Sequence, residues 1–415
     1  MKIKFLLMMF FVMSINCHAQ ITLGQCHQMA HDNYPVIKKY ALTEQSRDFT
    51  VANASKGMLP QVQITGVGAA FTDIIDMSSQ TQSLMGDSKN WIGGVGVTVS
   101  QKIYDGGDIS SRKSIARAQA NVDSKYLDVT MYEVNNRIDQ LFFGILTLEE
   151  ELKQNTLLQN DLALSRKTVD GMMHGGIANQ SDIDAVEVEQ VKAQQTESSM
   201  KESRHAYLTM LGTFIGKKLS DETIFMKPST TDYLEAMSTS KRPELEYYNA
   251  QYKLLDAEKH SLDVQLLPKL SAFGIGSYHN TMMSMMKNDL FAAGLTLSWS
   301  ISPLYTRKNN LRSIEVKRQQ IEADRETFLF NSRLQNENSS SHISDLQKKI
   351  NTDERIITLR ENIRSKSEKK VQNGTETINE MLRDVNAVSE ARQQKALHEI
   401  EMLQEIYKIK NINNN

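Results

Sequence analysis

Leu59-Pro60-Gln61-Val62-Gln63-Ile64-Thr65-Gly66-Val67-Gly68 has a counterpart in Leu267-Pro268-Lys269-Leu270-Ser271-Ala272-Phe273-Gly274-Ile275-Gly276. The prolines of this unit recur at one spacing: Pro35 with Pro243 and Pro60 with Pro268, each 208 positions apart (243 − 35 and 268 − 60). A second β-like run follows each copy, Val95-Gly96-Val97-Thr98-Val99-Ser100 and Ala293-Gly294-Leu295-Thr296-Leu297-Ser298. A basic helix start comes next, at Ser111-Arg112-Lys113 to Arg117 and again at Thr306-Arg307-Lys308 to Arg312. A fixed internal period decides the architecture before any single motif does. Each half reads as helix, strand pair, long helix, turn, long helix. The first repeat spans 20–227 and the second 228–415.

Outward from the strands the chain is helical. The prolines stand at 35, 60, 228, 243, 268 and 303, so 61–227 and everything after 303 lack one. Such stretches suit uninterrupted helices. Expected long helices cover about 110–168, 181–211, 305–365 and 377–409. Val134, Ile138, Leu141, Ile145, Leu148 and Leu152 step by fours and threes, as do Leu397, Ile400, Leu403 and Tyr407, which is the stripe of a coiled coil. At 1.5 Å per residue, nearly sixty residues reach roughly 85–90 Å. Helices of that length belong to a rod, a fibre or a tunnel. Asn411 to Asn415 read as a frayed polar tail.

The strands are expected at 61–72, 91–103, 268–279 and 291–302. In the last, Ala293, Leu295, Leu297, Trp299 and Ile301 alternate with Gly294, Thr296, Ser298 and Ser300; Val95, Val97 and Val99 alternate with Gly96, Thr98 and Ser100. An apolar face opposite a small polar one suits a barrel strand between lipid and water. A half-buried soluble sheet alternates in the same way. Four strands cannot close a barrel, and an open sheet edge cannot stand in lipid, so a barrel needs several chains.

Composition narrows the classes. A formal charge of −2 over 415 residues gives no case for nucleic acid. A mean hydropathy of −0.43 is too polar for a helical membrane bundle. Residues 1–19 read as a secretory signal: Lys2 and Lys4, an apolar run from Phe5 to Val12, and Cys17-His18-Ala19 before the cut. Cys17 as a lipidation site is the less favoured reading, because no small residue precedes it. Cleavage leaves Cys26 alone, with no internal disulfide.

Some candidates have plain explanations. His27 and His31, four apart beside Cys26 and Asp32, have metal-ligand spacing, but nothing else completes a site. His174 reads as a solvated turn residue. The acidic run Asp182, Asp184, Glu187 and Glu189 suits a helix start and a partner contact equally. Met282-Met283 and Met285-Met286 read as a loop between strands. Gly93-Gly94-Val95-Gly96 opens no helix, so it is no phosphate loop. No catalytic constellation is present, and no cofactor is called for.

After each turn a glycine is followed six positions later by an acid: Gly176 with Asp182, and Gly374 with Glu380. With the doubled Leu-Pro-strand unit, these residues make the mature chain resemble the TolC-like outer-membrane efflux channels, especially along Gly374-Thr375-Glu376-Thr377-Ile378. The resemblance implies a mainly α fold with β: a homotrimer with a twelve-stranded barrel, four strands per chain, in the outer membrane. That barrel would continue into a long periplasmic helical barrel. It implies passive export with a periplasmic adaptor and an inner-membrane pump, and contact with outer-membrane lipid. Gly175, Gly176, Asp182, Asn373 and Gly374 would form the adaptor-docking tips. Glu380, Arg383 and Asp384 would lie at the tunnel constriction, where Arg383 departs from the family's second acid. A type I protein-secretion exit duct is the alternative within this fold. A periplasmic coiled-coil scaffold without a pore is the alternative outside it.

Overall fold

The computed structural model describes residues 20–70, 91–229, 242–279 and 288–413. The signal segment and the methionine pairs at 282–286 lie outside them. In chain order the elements are α1 (Leu23–Asn33), α2 (Ile37–Lys56), β1 (Gln61–Ala70), β2 (Trp91–Tyr104), α3 (Asp108–His174), α4 (Gln180–Ile215), α5 (Pro243–Val264), β3 (Lys269–His279), β4 (Asp289–Ser298), α6 (Pro303–Gln372) and α7 (Ile378–Asn413). Both strand pairs are entered in the same way. Leu59 and Leu267 close the helix before each strand pair, donating their amides to Lys56 and Val264. The following prolines, which lack an N–H, mark where the ladder begins.

The chain divides into two compact units that do not coincide with the repeats. One takes the described parts of Met1–Ile37, Asp128–Pro243 and Thr327–Asn415; the other takes Lys38–Leu127 and Glu244–Glu326. Each unit draws on both halves.

The second unit holds the sheet, antiparallel in the order β1-β2-β3-β4. Its register sorts the side chains. Ile64 stands opposite Val97 and Val62 opposite Val99. Val97 faces Gly276 and Val99 faces Gly274. Gly276 and Gly274 in turn face Phe291 and Ala293, and Ala272 and Leu270 face Leu295 and Leu297. Residues directly opposite share a face. The two apolar alternations of the sequence therefore merge on one side, as Val62, Ile64, Val95, Val97, Val99, Phe291, Leu295 and Leu297. Gln63, Thr65, Thr98, Ser100, Ser271 and Thr296 share the other side, which Phe273 and Ile275 interrupt. The apolar side is uncovered in the single chain: Ile64, Leu297 and Phe291 are 72%, 73% and 81% exposed.

β4 ends at Ser298, four residues short of the expected limit. Ser298 pairs with Lys269, the first residue of β3. Beyond it the partner strand has only Pro268 to offer. Trp299 and Ile301 keep the alternation but leave the ladder, and the Trp299 indole N–H donates to the Leu266 carbonyl at 2.9 Å.

At the start of α3, Asp105 accepts from the amides of Gly107 (2.9 Å) and Ile109 (2.7 Å). Burial alone would raise its carboxyl, but these amides bond the charged form and hold it below the usual carboxylate range.

The first unit is helical and has two apolar clusters. In one, Leu23, Cys26 and Ala30 of α1 pack on Ile138, Phe142, Phe143 and Ile145 of α3, Leu208 and Leu211 of α4, and Ile400 and Leu403 of α7. The other gathers Leu162, Val169, Ile183, Val186, Val371, Met381 and Val385 near the two helical turns. Polar pairs across each hairpin fix its antiparallel register: Glu149–Arg204 and Arg166–Glu187 for α3 and α4, and Asp353–His398 and Glu361–Arg392 for α6 and α7.

Residues Asn411 to Asn413, the described part of the expected polar tail, are not frayed. α7 continues to Asn413, and Ile412 is 5% exposed. Tyr132 and Arg242 both donate to the Asn411 carbonyl, and the Asn336 amide reaches Asn413 at 3.1 Å.

Candidate functional site

Both turns are built alike. α3 ends as Gly176 takes φ +71°, and α6 ends as Gly374 takes φ +68°. The amide after each glycine bonds five residues back, Ile177 to Met172 and Thr375 to Lys370, each at 2.9 Å. The glycine's own amide bonds three back, Gly176 to Met173 and Gly374 to Val371. This is the Schellman closure of a helix, and it needs a residue in the left-handed region.

Three residues beyond each glycine a new helix is capped. Asn179 takes the Ser181 amide at 2.8 Å, and its own amide donates to Asp182 at 2.9 Å. Thr377 takes the Glu380 amide at 3.3 Å, and its own amide donates to Glu380 at 2.9 Å. Each is a reciprocal capping box. The glycine-to-acid interval of six is thus the length of one stop and one start: three residues from glycine to cap, three more from cap to acid. The signal was present in Asn179-x-x-Asp182 and Thr377-x-x-Glu380, the usual form of a helix start.

Glu380 therefore has a local partner whatever else it does. The Thr377 amide and hydroxyl hold its carboxyl below the usual carboxylate range, with Arg383 and Lys370 adding attraction. Arg383 Nη2 lies 3.7 Å from Glu380, and the Arg383 side chain is 77% exposed. Both line a groove of about 510 Å³ between α4 and α7 with Val188, Glu189 and Asn386. Asp384 is half-buried on the same helix turn. Gly175, Gly176, Asn373 and Gly374 are exposed.

The acidic run is engaged within the chain. Asp184 accepts from Gln180 (2.7 Å), Glu187 pairs with Arg166 (2.9 Å), and Glu189 accepts from Lys192 and Asn386. Asp161 of α3 pairs with Arg364 of α6 (2.7 Å) and lies 3.5 Å from Arg392 of α7, joining the two hairpins near their turns. Nothing in sequence spacing pointed to that cluster. His174 is exposed, with Nδ1 2.7 Å from the Asp170 carbonyl.

The histidine pair near the N-terminus does not form a ligand set. His27 Nε2 lies 2.6 Å from Asp139, whereas His31 turns to Asp32 at 3.5 Å. Among the described residues no group of His, Cys, Asp and Glu is arranged to hold a metal ion. Burial, with Asp139 nearby, pushes the Cys26 thiol up to about 12, so it is inert as a nucleophile.

The chain can be placed by its fold. No protein-family model matches the sequence, and no curated protein matches it. Solved structures do match, over nearly the whole length. The outer membrane protein VceC of Vibrio cholerae superposes with a TM-score of 0.67 at 11% identity, over 94% of this chain and 96% of that one. The CmeC outer membrane channel of Campylobacter jejuni gives 0.65 at 11% identity, over 94% and 85%. The open state of the Neisseria gonorrhoeae MtrE outer membrane channel gives 0.66 at 11% identity, over 95% and 89%. The chain has the fold of the TolC-like outer-membrane channels, mainly helical with four antiparallel strands.

Proposed function

We propose that this protein is the outer-membrane exit duct of a tripartite efflux system. Three copies would close a twelve-stranded barrel in the outer membrane, and their helices would line a tunnel into the periplasm. The duct is passive: a periplasmic adaptor docks on the helical turns, and an inner-membrane pump supplies the energy. The observation that carries this reading is the open sheet with eight exposed apolar side chains on one face. Removing a side chain of that size from water is worth about 1.5–3 kcal/mol. A sheet that leaves all eight in water is unsatisfied; barrel closure pairs the two open edges with neighbouring chains, and lipid outside covers the side chains. Among the described residues no helix is long and apolar enough to cross a membrane, so the strands are the candidate span. Mass measurement in mild detergent should give three copies, and planar bilayers should show discrete conductance steps. A stable monomer, or a trimer that never conducts, would overturn the reading.

Within that duct we assign Glu380, with Arg383 and Asp384, to the constriction. Three-fold symmetry would bring three carboxylates around one axis, and such rings attract cations. The capping box supplies a clean test. Glutamine serves at the same capping position as glutamate, so Glu380→Gln removes the charge and keeps the cap. Its cation-over-anion permeability ratio, read from reversal potential under a salt gradient, should fall severalfold, with thermal stability lowered less than when the cap itself is lost. Glu380→Ala should lower both. Unchanged selectivity in both variants would place Glu380 away from the constriction.

A further inference from the structure

The two helix starts beside the sheet repeat more than their basic character. Arg112, Lys113 and Arg117 of α3 precede Arg307, Lys308 and Arg312 of α6 by the same 195 positions (307 − 112, 308 − 113 and 312 − 117). The first arginine of each set is held within the fold: Arg112 lies 3.1 Å from Asp108, and Arg307 lies 2.6 Å from Asp263. The other two cations of each set have no carboxylate at ion-pair distance among the described residues. Arg117, Lys308 and Arg312 are exposed, and Lys113 is half-buried.

Helix electrostatics do not account for them. Lys113 and Lys308 stand in the second turn and Arg117 and Arg312 in the third, beyond the first turn to which the helix dipole's pull is confined. Both halves nevertheless keep two of them at the same place.

Their surroundings supply a reason. Along the chain from β4 come Leu295 and Leu297 on the apolar face, then Trp299, 68% exposed, then Tyr305, 80% exposed. Tyr305, Lys308 and Arg312 follow at i, i+3 and i+7, one face of α6. The order is aliphatic, aromatic, cationic. That is the profile of a surface passing from hydrocarbon through the interface to charged headgroups, where aromatics sit at the boundary and long basic side chains reach past it.

We propose that Lys113, Arg117, Lys308 and Arg312 form a cationic collar that binds anionic phospholipid headgroups of the leaflet next to the helices. The inference rests on the reading of the sheet as a membrane barrel. In a trimer the collar holds twelve cations, four from each chain. Each Lys or Arg beside an anionic surface strengthens binding about fivefold, and the attraction is screened by salt.

The test uses the full chain in nanodiscs of phosphatidylcholine containing a minority of phosphatidylglycerol. Lipid retained by the protein is compared with the bulk ratio. Wild type should enrich phosphatidylglycerol roughly fivefold or more, and high salt should reduce the enrichment. Lys113→Gln/Arg117→Gln/Lys308→Gln/Arg312→Gln should fall to the bulk ratio. Exchanging each lysine for arginine and each arginine for lysine should restore it. Channel conductance, recorded on the same preparations, should be equal in all three. A conducting wild type that retains lipid at the bulk ratio, or a quadruple variant that keeps the enrichment, overturns the collar alone. A protein that neither inserts nor conducts overturns the membrane reading and the collar with it.

Discussion

Val97→Arg should abolish the membrane-embedded oligomer, whereas Thr98→Arg, one residue along the same strand, should leave it intact. Val97 lies mid-way along β2, between Ile64 of β1 and Gly276 of β3, on the apolar face. An arginine on the lipid side at mid-depth costs about 2–4 kcal/mol. Per chain that is a large part of a typical folding stability of about 5–15 kcal/mol, and a three-chain barrel carries it in every chain. Thr98 lies on the polar face with Thr65-side neighbours such as Gln63, its direct partner. An arginine there would stand in the watery interior, where it should shift selectivity towards anions. Membrane fractionation and the oligomer mass in mild detergent report insertion, and reversal potential reports the interior. Normal insertion of the Val97 variant with failure of the Thr98 variant would mean the faces are reversed. Indifference to both would mean the sheet does not lie in lipid.

That test is available because the strands were legible from sequence alone. An alternation of period two needs only local residues, and the doubled Leu-Pro unit located it twice. The register that merges the stripes of β2 and β4 on one face is a property of pairing and had to be observed. The strand end shows the same limit. Trp299 and Ile301 continue the alternation, but a ladder stops where its partner does, and β3 begins at Lys269 after Pro268. The C-terminal residues failed for a related reason. Asn411, Ile412 and Asn413 look like a polar end, yet their partners Tyr132, Arg242 and Asn336 lie far away in sequence. The turns were the reverse case. Their glycines and acids stood out, but the capping signal in Asn179-x-x-Asp182 and Thr377-x-x-Glu380 went unread behind the family motif. Asp161, Arg364 and Arg392 were invisible, because three charges on three long helices have no spacing to betray them.

At the turns, geometry and docking can be separated. Gly176 and Gly374 both adopt positive φ, and a Cβ at either would meet nothing within 4 Å. The obstacle to substitution is therefore the backbone and not the space around it. An ordinary L-residue in the left-handed region costs about 1–2 kcal/mol, a β-branched one more, while asparagine is tolerated there. Gly176→Val/Gly374→Val should open both Schellman closures, lower the thermal unfolding temperature and abolish export. Gly176→Asn/Gly374→Asn should keep both turns and the wild-type unfolding profile. It still adds one exposed side chain at each of the two turns where, on the proposed reading, an adaptor approaches the bare backbone. In that variant export should fall steeply although the fold and the conductance in planar bilayers are those of wild type. Full export by the asparagine variant would remove the docking role from these glycines. They would then serve only to end α3 and α6, and the adaptor would have to be sought on the groove that holds Glu189, Glu380 and Arg383.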